Sequence, residues 1–250
     1  MDEPQAPPAY YASPRLLGAG AVREWWTILH PPYTLLHLSL VTVGACVSGP
    51  VNLARLAITL AAFFLAVGIG AHSLDELHGR PLRTTLPAWQ LSGAAILALG
   101  GAVSLGIVGM FVVGPWLATF IVVGTVVAVG YNLELLGARL HTRAVVVLAW
   151  GGFPVLTAYY AQHGDLSVAA VLAAGFGAMF TLAQQQLSTP ARDLRRRTLS
   201  VEGVAFRLDG SRVSIDVDTL LAPLEDTLKT LCRAGPLLAL ALLVARLLHQ

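Results

Sequence analysis

Seven blocks of apolar residues divide the chain, at about 33–50, 53–74, 88–110, 112–131, 144–162, 166–187 and 234–249. The first six approach the roughly 20 residues a helix needs to cross a bilayer core. The seventh is weaker. Its uninterrupted apolar run, Leu237–Ala245, is short, so it either spans or dips into one leaflet. Gly and Pro inside several blocks do not oppose the reading, because membrane helices tolerate both. The pattern predicts an all-α, polytopic transmembrane bundle of about seven helices.

The stretches between the blocks have their own patterns. Residues 1–20, with Pro4, Pro7, Pro8 and Pro14, read as a flexible tail, with no apolar run of the kind found in a cleaved signal peptide. Residues 21–32 look interfacial, with Trp25 and Trp26 suited to the headgroup belt. The bundle then occupies 21–187. In 188–231, Val204, Phe206 and Leu208 alternate with polar residues, as do Val213, Ile215 and Val217, around Asp209-Gly210-Ser211. That predicts a β-hairpin. An isolated hairpin is marginal in water, so it is expected to pack on the membrane domain. Leu220, Leu221, Leu224, Leu228 and Leu231 recur at helical spacing, which predicts an amphipathic helix on the inner membrane face. Residues 232–250 form the C-terminal membrane helix.

Composition agrees. Charged residues are 12% of the chain and mean hydropathy is +0.69, whereas soluble domains carry about 25% charged residues. Cys46 and Cys232 have no metal-ligand spacing and suggest no disulfide framework. The net charge of +2 says little, but its distribution gives an orientation. With the N-terminus inside, every Lys and Arg except Arg55 and Arg246 falls on the inner side. The N-terminus and 188–231 are therefore expected in the cytosol. The bilayer is the expected partner, and no nucleic acid.

Three polar groups stand at span ends on this inner side, where ionisable residues are informative. After span 2 comes His72-Ser73-Leu74-Asp75-Glu76, then Arg80-Pro81-Leu82. On a continuing helix His72, Asp75 and Glu76 share a face and could hold a divalent cation, Mg²⁺ by preference with phosphate oxygens. Equally, Arg80 could simply pair with Asp75 or Glu76. After span 4 come Tyr131, Asn132, Glu134, Arg139 and His141, where Glu134 could pair with Arg139. After span 6 come Gln184, Gln185, Gln186, Thr189, Arg192, Asp193 and Arg195–Arg197. Glutamines at a membrane helix end are costly unless they face a cavity or partner. The arginines either anchor topology or bind anionic lipid or diphosphate. No charge marks a midspan transport path. His37 is the closest candidate, and it reads better as a hydrogen-bonded core or interface histidine.

This layout resembles the UbiA superfamily of intramembrane prenyltransferases over about residues 25–200. Arg80-Pro81-Leu82 fits the stretch after the family's first acidic motif, with His72, Asp75 and Glu76 at the motif itself. Tyr131 and Arg139 fit the middle element, and Gln185, Gln186, Thr189 and Asp193 stand at the second motif. The departures are Ala71-His72 in place of Asn-Asp, glutamines and Thr189 in place of acids, seven spans rather than nine, and the hairpin. The resemblance implies Mg²⁺-dependent ionisation of a prenyl diphosphate, followed by transfer to an acceptor or cyclisation. His72, Asp75, Glu76 and Asp193 would be metal ligands. Arg80, Arg139 and Arg192 would contact diphosphate, with Gln185 and Gln186 as neutral substrate contacts. Asp75 and Tyr131 would act in catalysis. A degenerate, non-catalytic isoprenoid-binding or complex-forming protein is the alternative that the lost acids imply.

Overall fold

A computed structural model describes residues 7–12, 20–47, 49–135 and 139–249. The tail expected over 1–20, with Arg15 in it, lies largely outside these residues. Eight helices are described. They are α1 (Ala21–Leu29), α2 (Pro31–Cys46), α3 (Leu53–Leu77), α4 (Ala88–Val113), α5 (Leu117–Asn132), α6 (Arg143–His163), α7 (Val168–Arg196) and α8 (Val217–Leu248). Between α7 and α8 lies a hairpin, β1 (Gly203–Phe206) and β2 (Arg212–Ile215).

The starts and stops follow local chemistry. Asn52, Thr142, Ser167 and Asp216 cap α3, α6, α7 and α8, each accepting a hydrogen bond from a first-turn amide. Gly114 and Gly164, both at positive φ, end α4 and α6. α3 and α6 each contain a π-helical stretch, Phe64–Ala71 and Val147–Gly152. Such stretches are frequent at functional sites.

α2 is the buried centre, in contact with α8, α6, α3 and α7. Glycines let the neighbours come close. A Cβ on Gly44 would lie 2.3 Å from the Val155 carbonyl oxygen, and one on Gly151 would lie 2.5 Å from that of Gly177. Such small-residue crossings suit a bundle in lipid, where association relies on close packing. Facing outward, Ile96, Leu97 and Phe111 of α4 and Leu237, Leu240 and Leu248 of α8 are exposed. That is the expected surface of a protein solvated by lipid. Trp89 and Trp116, 71% and 74% exposed, open α4 and α5 and suit the two headgroup belts.

Five helices, α3, α4, α6, α7 and α8, are long and apolar enough to cross a membrane. α2 and α5 have 16 residues each, about 24 Å of rise, short of a ~30 Å core. The seven-span expectation is met by five. The weakest expected span belongs to one of the five, because the amphipathic helix and the C-terminal segment are a single helix, α8. Pro223 and Pro236 lie inside it. Thr227 Oγ1 donates to the Pro223 carbonyl at 2.8 Å. Likewise residues 188–196 continue α7.

The hairpin forms with Gly203 opposite Ile215 and Phe206 opposite Arg212. Gly210 takes φ 81°, and Ser211 N–H donates to Asp209 Oδ1. Leu208 falls in the turn and Val217 opens α8, so both lie outside the strands. The strands are mostly exposed, so the expected packing on the bundle is not seen. Of residues 1–20, Ala9, Tyr11 and Ala12 are buried, packed with Tyr33. This part of the expected flexible tail is docked.

Candidate functional site: two adjoining cavities

α3, α5 and α7 all end at one end of the bundle, and their polar ends converge there. They surround a polar cavity of about 340 Å³. His72 and Asp75 come from α3, Tyr131 and Asn132 from α5, and Gln184, Gln185, Ser188 and Arg192 from α7. His30, Tyr33 and His37 enter from α2 and the residue before it, Trp150 from α6, and Glu225 from α8. At spacings of three and four, Thr181, Gln184, Ser188, Arg192 and Arg195 form one face of α7.

Four histidines of the cavity bond through Nδ1 to main-chain carbonyls: His30 to Ile28 at 2.6 Å, His37 to Trp150 at 3.1 Å, His72 to Gly68 at 3.3 Å and His141 to Tyr131 at 3.3 Å. In each neutral ring this makes Nδ1 the donor and turns Nε2 into an acceptor. The His30 and His72 rings lie 4.3 Å apart. Tyr131 stacks on His141 at 4.4 Å and meets Trp150 at 4.9 Å. Three buried polar atoms of the lining residues, His37 Nε2, Ser188 Oγ and Tyr10 Oη, have no geometric hydrogen-bond partner among the described residues. Such atoms cost about 1–3 kcal/mol each unless a ligand or water satisfies them.

The charge balance is cationic. Arg195 and Glu225 form a two-pronged pair, with Nη2 2.7 Å from Oε2, and cancel. Among the described residues, Arg192 makes one hydrogen bond, to Thr189 Oγ1 at 3.3 Å. Arg196 donates to the Pro8 carbonyl at 3.1 Å. Asp75 has no side-chain hydrogen bond or ion pair among the described residues. Two guanidiniums therefore face a single uncompensated carboxylate.

The expected site residues divide sharply. His72, Asp75, Tyr131, Gln185 and Arg192 line the cavity. Glu76 does not. It is fully buried, and its carboxylate accepts from Leu82 N, Thr84 N and Thr84 Oγ1 at 2.9, 2.9 and 2.7 Å. It fastens the loop after α3. Arg80 pairs with neither acid and donates to the Leu86 carbonyl at 2.6 Å. Arg139 and Gln186 are exposed. Asp193 is exposed and sits 3.5 Å from Arg197. Glu134 lies beside His78 and His141, at 3.8 and 3.7 Å, not Arg139. Among the described residues, no group of three His, Cys, Asp or Glu is placed to hold a metal ion. The additions are His30, Tyr33, His37, Asn132, Ser188, Arg196 and Glu225. The spacing Gln184, Ser188, Arg192 carried the α7 part of that signal.

A second, apolar cavity of about 380 Å³ is framed by α3, α4, α5 and α6. Trp150 lines both cavities. The apolar one runs from Arg55, at the opposite end of the bundle, to Val145 and Trp150. Val108, Val112 and Leu148 on its wall are exposed, so the cavity is not closed off by protein on that side. Arg55 closes the far end by donating to the carbonyls of Gln162 and Val112, at 2.7 and 3.4 Å. Arg246 ties α8 to the end of α2 in the same way, through the Cys46 and Val47 carbonyls.

Burial, and next to it the neighbouring His72 ring, holds His30 well below its usual pKa, with Arg196 and Arg192 adding to the effect. The folded protein therefore keeps His30 neutral while the unfolded chain protonates it below about 6.5. Stability is fully present above that pH and falls as pH drops toward the depressed folded value. Thermal melts in detergent from pH 7.5 to 5 should show this loss, up to ~1.4 kcal/mol per pH unit for one proton. His30→Asn, which tolerates the left-handed backbone at φ 46°, should make the dependence shallower. An unchanged slope would assign it elsewhere.

Compared with protein-family models, curated proteins and solved structures, the chain has no match, so the reading of the site rests on its own residues.

Proposed function

We propose that this integral membrane protein binds an amphipathic isoprenoid-type lipid. Its anionic head lies in the polar cavity and its apolar tail in the neighbouring one. The carrying observation is the pair of cavities meeting at Trp150, one cationic and one apolar and not closed off by protein on one side. Arg192 and Arg196 are the head's counter-charges, since guanidinium matches phosphate oxygens in geometry. Ser188 Oγ and the Gln184 and Gln185 amides supply neutral hydrogen bonds. The basic residues at this end favour the cytosolic side for it.

Prenyl transfer, the activity of the UbiA superfamily, is the second reading. Asp75 and Tyr131 facing the same cavity favour it. The residues do not fit the family's two-magnesium centre, because Glu76 is committed to the 82–84 loop and Asp193 to the surface. In this reading Mg²⁺ would have Asp75 and His72 as ligands. Arginine would carry the rest of the diphosphate charge.

Asp75→Asn separates the readings. If arginines hold the head, removing a nearby negative charge should tighten farnesyl diphosphate binding about tenfold, ~1.4 kcal/mol, with or without Mg²⁺. If Asp75 holds the metal, the same change should abolish Mg²⁺-dependent binding and diphosphate release. Calorimetry and a release assay on purified protein read both.

A further inference from the structure

Pro7–Ala12 sits at the mouth of the polar cavity, and Pro8, Ala9, Tyr10 and Tyr11 form part of its lining. Tyr11 is 5% exposed and meets the His30 ring at 5.5 Å and the Tyr33 ring at 5.7 Å. Tyr10 packs edge-on to Tyr33 at 6.4 Å. The segment is also held by its main chain. Arg195 Nη1 donates to the Pro7 carbonyl at 3.4 Å, and Arg196 Nε to the Pro8 carbonyl at 3.1 Å. Neutral carbonyls are weak partners for guanidinium, and a charged phosphate oxygen forms the stronger bond. A peptide turn thus occupies an arginine that the lipid head needs, and an aromatic side chain fills space beside the histidine pair.

We propose that Pro7–Ala12 is an autoinhibitory plug, displaced from the cavity mouth when an anionic head takes Arg196 from the Pro8 carbonyl. The inference rests on the reading of this end as a head-group site. Competition for Arg196 is its content. Binding reads as intrinsic affinity reduced by the fraction of open molecules, so weakening the plug strengthens binding with no new contact to the ligand. Tyr11 is the main apolar anchor, and the two proline carbonyls are the polar one.

The test uses the whole chain in detergent with Cys46→Ala and with Cys232→Ser, which keeps an acceptor beside the Tyr10 hydroxyl, carrying Ala9→Cys as reporter. Ala9 is buried, so a charged maleimide should label the introduced thiol slowly. Inorganic diphosphate should speed labelling by up to about tenfold, the change expected if the plug is closed in roughly nine molecules of ten. Adding Tyr11→Ala should speed labelling without any anion and tighten farnesyl diphosphate binding by a similar factor. Labelling of the reporter thiol that stays slow or slows further with diphosphate would overturn the plug. So would weaker farnesyl diphosphate binding in Tyr11→Ala, which would make the segment part of the site. Farnesol, which has a tail but no charge, separates this failure from failure of the lipid-binding reading. It should stabilise the wild type whether or not the plug moves, and no stabilisation by farnesol or farnesyl diphosphate sinks both.

Discussion

Glu76→Ala should destabilise the protein by about 3–9 kcal/mol, far more than Asp75→Ala or Asp75→Asn. The carboxylate of Glu76 is buried and receives two main-chain amides and a hydroxyl from the 82–84 segment. Removing it strands three donors, each costing about 1–3 kcal/mol. The damage would spread, because this loop sets the entry to α4. Leu82 and Leu86 pack with Ile28 and Leu91 in one buried cluster, and Arg80 leans on the Leu86 carbonyl. Asp75, one residue earlier, has no partner to strand among the described residues. Melting curves of the two alanine variants, with and without Mg²⁺, read the difference. Equal stability of Glu76→Ala and wild type, with loss confined to Mg²⁺-dependent binding, would return Glu76 to the metal-ligand role that the UbiA resemblance implies.

Arg192→Ala should have the largest effect on ligand. Its guanidinium is the least committed of the cavity's three, with one hydrogen bond, to Thr189, among the described residues, whereas Arg195 is matched by Glu225. Removing a charged hydrogen-bonding partner of a buried head costs about 2–5 kcal/mol, roughly a 30-fold or greater loss in farnesyl diphosphate affinity. Farnesol binding should hardly change, because the alcohol brings no charge. Arg195→Ala differs in kind. It leaves Glu225 buried without its cation, so its loss should appear first in stability.

The comparison of Asp75 with Glu76 shows where the sequence stops being informative. Polar residues at the ends of apolar blocks are enough to expect that His72, Asp75, Tyr131, Gln185 and Arg192 share one end of the bundle, and they share one cavity. Neighbouring residues on a helix differ by about 100° in direction. Which of two acids faces inward therefore depends on helix phase. The π-helical stretch Phe64–Ala71, just before His72, shifts that phase in a way hydropathy does not record. Gln186 and Asp193 miss the cavity for the related reason that the inward face of α7 follows Gln184, Ser188 and Arg192. The hydropathy pattern splits α8 because Arg233 and Pro236 interrupt its apolar run, although the helix continues through both. Tyr10 and Tyr11 carry no periodic signal, since so short a turn is placed by its tertiary contacts alone.

The central claim is that one ligand fills both cavities. A farnesyl phosphate analogue with a photoactivatable group at the tail end tests it most directly. After irradiation in liposomes and digestion, labelled peptides should come from the apolar cavity wall, residues 117–128 and 145–153. Unlabelled farnesyl diphosphate should suppress the labelling, and Arg192→Ala should nearly abolish it at low probe concentration. Label spread over the lipid-facing surface of α4 and α8, neither suppressed by competitor nor dependent on Arg192, would contradict the account.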